Sequence, residues 1–182
     1  MLTAEEQMDL IVRDTDRVGE LARERQRPEN RSGEVVVAVH LGNYALHAAH
    51  QPGDTTDHLD ADYAEYCRDA YGEVRRAVKD ADAAVAALYP NSFETEHRRV
   101  MGAYREDMTW IPTWNKGAVP TDEGIERWAD VYNTVADGGQ LTIAGEEEGR
   151  CYDYTLLFAD AMRQRLDKDF GIVRGPSYGR DG

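Results

Sequence analysis

Two hydrophobic periods alternate along the chain. In "TAEEQMDLIVRDTDRVGELARERQ" (3–26), Leu10, Ile11, Val18 and Leu21 fall roughly on one side of a helix. Thr3 and Glu6 have capping-box spacing at its start, and "RPENRSG" ends it. "EVVVAVHL" (34–41) is a short β-branched run, the mark of a buried strand. "HQPGDTTDH" then reads as loop. Over 60–81, Tyr63, Cys67, Ala70, Tyr71, Val74 and Val78 share a helical face, which makes Cys67 a packed core residue. "AAVAALYP" (83–90) predicts a second strand ended by Pro90, "SFETEHRRVMGAY" a short helix, and "DMTWIPT" (107–113) a third strand. Residues 121–136 predict a helix with Ile125, Trp128, Val131, Tyr132 and Val135 inward and "DGG" as its stop. "QLTIA" (140–144), a helix over 150–166 and "FGIVRG" (170–175) complete the series.

Strands alternating with helices predict an α/β fold: a doubly wound, mostly parallel sheet with helices on both faces. The expected organisation is an N-terminal helical extension over 1–30 and a single α/β domain over 31–182, long enough for one proper core. No internal repeat or low-complexity segment interrupts this reading. In such folds ligands sit beyond the carboxyl ends of the strands, so residues just after strands are the ones to inspect.

Composition narrows the partners. The net charge is -14, and 18 of the 21 basic residues are arginine, leaving Lys79, Lys116 and Lys168. An acidic, lysine-poor chain suits solubility in high salt, and a cytoplasmic protein of a halophilic organism is the expectation. No basic stripe favours nucleic acid, no apolar run is long enough for a membrane helix, and the N-terminus lacks the pattern of a secretory signal. Cys67 and Cys151 make no disulfide framework, and no Cys/His spacing matches a zinc site. His40, His47, His50 and His58 lie close together in sequence, but neither a metal nor a cofactor is expected.

Three candidates follow predicted strands: His40, Lys116 and Cys151. A cysteine at a helix start gains a lowered thiol pKa from the helix end, and nearby N–H groups can hold an oxyanion. The segment "AGEEEGRCYDYT" has a glycine ending a strand, a cysteine six residues later and a threonine four beyond it: Gly145, Cys151 and Thr155. With Lys116 of "WNKGAVP" one helix and one strand upstream, the arrangement resembles the isochorismatase-like cysteine hydrolase superfamily, which includes the nicotinamidases. The resemblance covers roughly 34–175. It implies a hydrolase acting on a small amide or related substrate, with Cys151 as nucleophile, Lys116 stabilising the thiolate, and a commonly oligomeric assembly. In "VAVHLGN", His40 stands where the family has an aspartate, and Asn43 matches the family's asparagine. His40 then takes the role of proton acceptor. Arg150, Asn43 and Trp114 are the expected substrate and oxyanion neighbours, and Trp110 and Trp114 bracket strand three.

The sequence departs from the family elsewhere. The loop "EEEGR" is more acidic than usual, and the nicotinamidase Asp-x-His metal pattern is missing, with only His97 after strand two. Each candidate also has a plainer reading. Cys151 can be a structural cysteine, Lys116 a surface residue, His40 a satisfied strand-end histidine, and Glu146, Glu147 and Glu148 a solvated loop face. A member that has lost catalysis and serves as a binding or assembly module, with helix 1–30 against a sister subunit, is the second function. An unrelated α/β ligand-binding domain is the third.

Overall fold

The computed structural model describes residues 2–25, 31–40, 76–77, 83–91, 107–114, 117–146 and 149–178. The chain begins with α1 (Ala4–Glu24), capped as the sequence predicts: Glu6 N–H donates to Thr3 Oγ1 at 3.1 Å, and Thr3 N–H donates to the Glu6 carboxylate at 2.9 Å. Then come β1 (Ser32–Val39), β2 (Ala84–Pro90), β3 (Met108–Thr113), α2 (Asp122–Thr134), β4 (Val135–Glu146), α3 (Cys151–Leu166) and β5 (Gly171–Tyr178). The expected helix over 60–81, with Cys67, and the short helix after Pro90 lie outside the described residues, apart from Arg76 and Ala77, which are helical.

The five strands form one parallel sheet in the order β3-β2-β1-β4-β5. Strand order runs outward from β1 to β3 and then returns to the other side of β1 through α2. β1 and β4 therefore flank the point where the winding reverses, and this is where an open α/β sheet forms its ligand crevice. Alternation along the strands divides the buried residues between two faces. Val35, Val37 and Val39 of β1, with Ala86, Leu88, Ile111, Leu141 and Ile143, join Trp128, Tyr132 and Phe158 of the helices in one core. Val36, Ala38, Val85, Ala87, Tyr89 and Ala144 alternate with them and are buried too, so both faces are covered, as a doubly wound sheet requires.

The structure corrects two expectations. The α2 helix stops at Thr134, ahead of "DGG", and β4 already begins at Val135. The three residues fit inside the strand because the ladder slips: Ser32 pairs with Val135 but Glu34 with Gln140, and Gly138 takes φ 78° in the excess length. The apolar stripe of α1 is also used within the chain. Ile11, Val18 and Ala22 belong to the main core, where α1 lies across α2 and α3. Arg17 pairs with Asp122 at 2.8 Å and Arg25 with Asp130 at 2.6 Å, both at the same offset in sequence, so α1 runs parallel to α2. The Arg165 guanidinium of α3 reaches Thr15 Oγ1 at 2.8 Å, the Val12 carbonyl at 3.2 Å and the Asp16 carboxylate. Exposed pairs of this kind contribute at most about 1 kcal/mol each, so burial holds α1 and the arginines set its register.

Asp14 sits in this helix interface and was not anticipated. Its side chain has 0% exposure. Oδ1 accepts from Arg13 Nε at 3.0 Å, while Oδ2 has no hydrogen-bond partner among the described residues. Burial is the largest effect and raises the carboxyl pKa; Arg13 and Arg17 oppose it, and Asp122 adds to it. A folded-state pKa above the unfolded value favours folding at low pH, and that contribution is lost as pH rises through the folded value. Asp14→Asn is therefore expected to stabilise the fold near neutrality by on the order of 1 kcal/mol, because the amide carries no charge to be desolvated. In thermal melts its advantage over the parent should shrink as the pH is lowered. A variant less stable than the parent at neutral pH would show that Arg13 and Arg17 outweigh burial.

Candidate active site at the ends of β1 and β4

The carboxyl ends of the strands bring several of the singled-out residues to one edge of the sheet. Val39 and Gly145 are register partners, so His40 and Glu146 leave β1 and β4 side by side. Gly145 is what allows the two strands to meet here. Its φ is 119°, and a Cβ there would run into the Val39 carbonyl oxygen and stand 2.9 Å from the Val39 nitrogen. Glycine is the residue that satisfies both conditions.

His40 is 4% exposed, with a left-handed backbone at φ 46°. Its N–H donates to the Leu88 carbonyl at 3.2 Å, and its Nε2 lies 2.8 Å from Thr113 Oγ1. Thr113 is the last residue of β3, has 0% exposure, and donates from Oγ1 to the Tyr89 carbonyl at 3.2 Å. The imidazole thus reaches from β1 over the end of β2 to β3, with its far nitrogen anchored and Nδ1 nearer its own strand.

Cys151 is the first residue of α3 and half-buried against the core. The turn before it is built from Gly149, with φ 77°, and Arg150, whose carbonyl accepts the first helical bond from Tyr154 N–H at 2.8 Å. Gly149 N–H donates to the Asp153 carboxylate, closing the turn across the helix start. Thr155 is 1% exposed and donates from Oγ1 to the Cys151 carbonyl at 2.7 Å, a bond that ties down the turn carrying the thiol. The first turn of a helix presents N–H groups that no intrahelical carbonyl takes up, and these suit an anionic sulfur or oxygen. Asp153, whose carboxylate takes the Gly149 N–H, sets negative charge against them.

Glu146 overturns the expectation of a solvated glutamate loop. It is the last residue of β4, in register with Tyr178 of β5, and is 1% exposed. Glu147 and Glu148 lie outside the described residues, as do Lys116 and Asn43. The residues flanking Lys116 are held at the end of β3: Trp114 N–H donates to the Val119 carbonyl at 2.8 Å, and Thr113 bridges Pro120. Arg150 is exposed, and Trp114 is 52% exposed at the strand end. Trp110 lies within β3 rather than bracketing it, edge-on to Tyr89 at 6.0 Å.

The sequence reading missed Thr113 and Glu146. A polar residue closing the apolar run "TWIPT" was a signal for the first. Nothing distinguished Glu146 from its two acidic neighbours except a strand that runs past Gly145. Among the described residues no group of three or more histidine, cysteine or carboxylate side chains is placed to hold a metal, and no helix is long and apolar enough to cross a membrane. Compared with known proteins, the chain matches no family model, no curated protein and no solved structure.

Proposed function

We propose that the protein is a cysteine hydrolase acting on a small amide or a related acyl substrate. The observation that supports this is positional: β1 and β4 flank the reversal point of the sheet, His40 ends the first, and Cys151 opens the helix that follows the second. In the proposed reaction His40 takes the thiol proton and the Cys151 sulfur attacks the carbonyl carbon, with backbone N–H groups at the start of α3 holding the oxyanion. The C–N bond breaks, the leaving amine takes the proton back from His40, and the acyl group remains on sulfur as a thioester. Water then attacks the thioester, returns the thiol and releases the carboxylic acid. Lys116, from the turn after β3, would stabilise the thiolate. Trp114, exposed at the end of β3, would face the substrate, and Asn43 and Arg150 would take the substrate and oxyanion roles that the resemblance implies. The acidic, lysine-poor composition favours a halophile's cytoplasm as the setting, and assembly into a homo-oligomer belongs to the same reading.

The test is a competition between two thiols of one chain. Iodoacetamide at pH 7 and high salt should modify Cys151 at least ~10-fold faster than Cys67, because the thiolate is the reactive form and a helix start favours it. Cys151→Ala should abolish hydrolysis across a panel of small amides. Equal, slow labelling with no turnover would reject the nucleophile. It would leave the reading in which the fold serves as a binding module, a reading favoured by a histidine already hydrogen-bonded to Thr113.

A further inference from the structure

We infer that Asp153 is a positioning residue: from the third place of α3 its carboxylate holds the Gly149 N–H and so fixes the turn from which Cys151 enters the helix. That this thiol is a nucleophile rests on the hydrolase reading above; the clamp on the turn does not.

A helix leaves the N–H groups of its first turn without intrahelical partners, and a side chain just ahead of it commonly accepts from one of them. In α1 and α2 that side chain is a threonine, Thr3 and Thr121. In α3 the same place holds Arg150, whose guanidinium carries only donors and supplies no side-chain cap. Asp153 stands in for it from inside the helix. One carboxylate oxygen accepts from Gly149 N–H, one residue further back than the acidic partner of a capping box reaches, so the bond spans the whole turn. The other oxygen lies 3.9 Å from the Arg174 guanidinium of β5. That pair is long and largely exposed, so it adds little, and the bond to Gly149 carries the clamp. Gly149, at φ 77°, gives the turn no stiffness of its own, because glycine adopts other conformations readily once the bond is gone. On the far side of the thiol, Thr155 fixes the Cys151 carbonyl at 2.7 Å, so Cys151 is held from both directions along the chain. The same carboxylate also sets negative charge beside the helix start, which opposes a thiolate. Clamp and charge therefore act on the thiol with opposite signs, and two substitutions separate them.

The experiment measures the iodoacetamide labelling rate of Cys151 at pH 7 in the full chain, with Cys67 as the reference thiol of the same molecule. Asp153→Asn keeps an oxygen for Gly149 N–H and removes the charge, so Cys151 should label as fast as in the parent or up to about threefold faster. Asp153→Ala removes charge and acceptor together. By charge alone it would also be faster; with the turn released it should be slower than the parent by roughly fivefold, the ratio that corresponds to the loss of one cap. A general loosening of the fold would speed both thiols instead of slowing one. With an amide substrate, Asp153→Ala should lose a similar factor in kcat with little change in KM, and Asp153→Asn should recover it. An alanine variant that labels as fast as the asparagine variant would overturn the clamp, since Asp153 would then act only as a charge. Two variants indistinguishable from the parent would overturn it as well. A parent that turns over no amide and labels Cys151 no faster than Cys67 removes the hydrolase reading, and the order of the three rates still decides whether Asp153 holds the turn.

Discussion

Gly145→Ala is expected to lower the stability of the protein by roughly 3–5 kcal/mol, the sum of a backbone penalty and a steric one. An alanine at φ 119° is strained whatever surrounds it. Its methyl would also meet the Val39 backbone, which the β1–β4 ladder holds in register and which cannot yield without opening the sheet. Against a total of about 5–15 kcal/mol the loss is severe, and a drop in Tm of ~10 °C follows for a domain of this size. Gly138→Ala provides the control. It carries the same kind of backbone, φ 78°, but a Cβ there meets nothing within 4 Å, so only the conformational part, about 1 kcal/mol, should appear. Denaturant titration of both variants separates the terms. A Gly145→Ala loss no larger than that of Gly138→Ala would mean that the strands can part at this point. The same substitution should slow the labelling of Cys151, because the turn that carries the thiol begins at this contact.

This glycine marks how far the sequence could be read. Local pattern was enough for the frame, because β-branched runs such as "EVVVAV" and capped amphipathic stretches such as residues 4–24 state their own structure. The parallel sheet, His40 just after a strand and Cys151 at the start of the helix after another followed from that alternation. What stayed hidden depends on contacts between distant segments. Asp14 reads as one more polar residue of an amphipathic helix, and only the packing of α1 on α2 and α3 makes it buried. Glu146 reads as loop because a glycine precedes it, yet pairing with β5 carries the strand one residue further. Thr113 became a candidate only when its hydroxyl was found against a histidine from two strands away. The strand slip at "DGG" was likewise set by β1, where two residues face a longer stretch of β4.

His40→Asn should separate fold from chemistry more sharply than any other substitution in the site. Position 40 demands a left-handed backbone, φ 46°, and asparagine is among the few residues that adopt it readily. Its amide can also hydrogen-bond, so the buried neighbourhood of Thr113 keeps a polar partner. Melting should therefore change by only a few degrees, the shift expected of about 1 kcal/mol. Proton transfer is another matter: an amide has no basic lone pair near neutrality, and removing a general base typically costs 10²–10⁴ in rate. Turnover of an amide substrate should fall by about that factor. His40→Asp makes the complementary test, since a carboxylate can accept the proton again and aspartate also tolerates a left-handed backbone. Hydrolysis in His40→Asp but not in the parent would place the natural chain among binding modules whose catalytic base has been replaced. Undiminished turnover in His40→Asn would remove His40 from the chemistry altogether and leave it as the buried residue that joins the end of β1 to the end of β3.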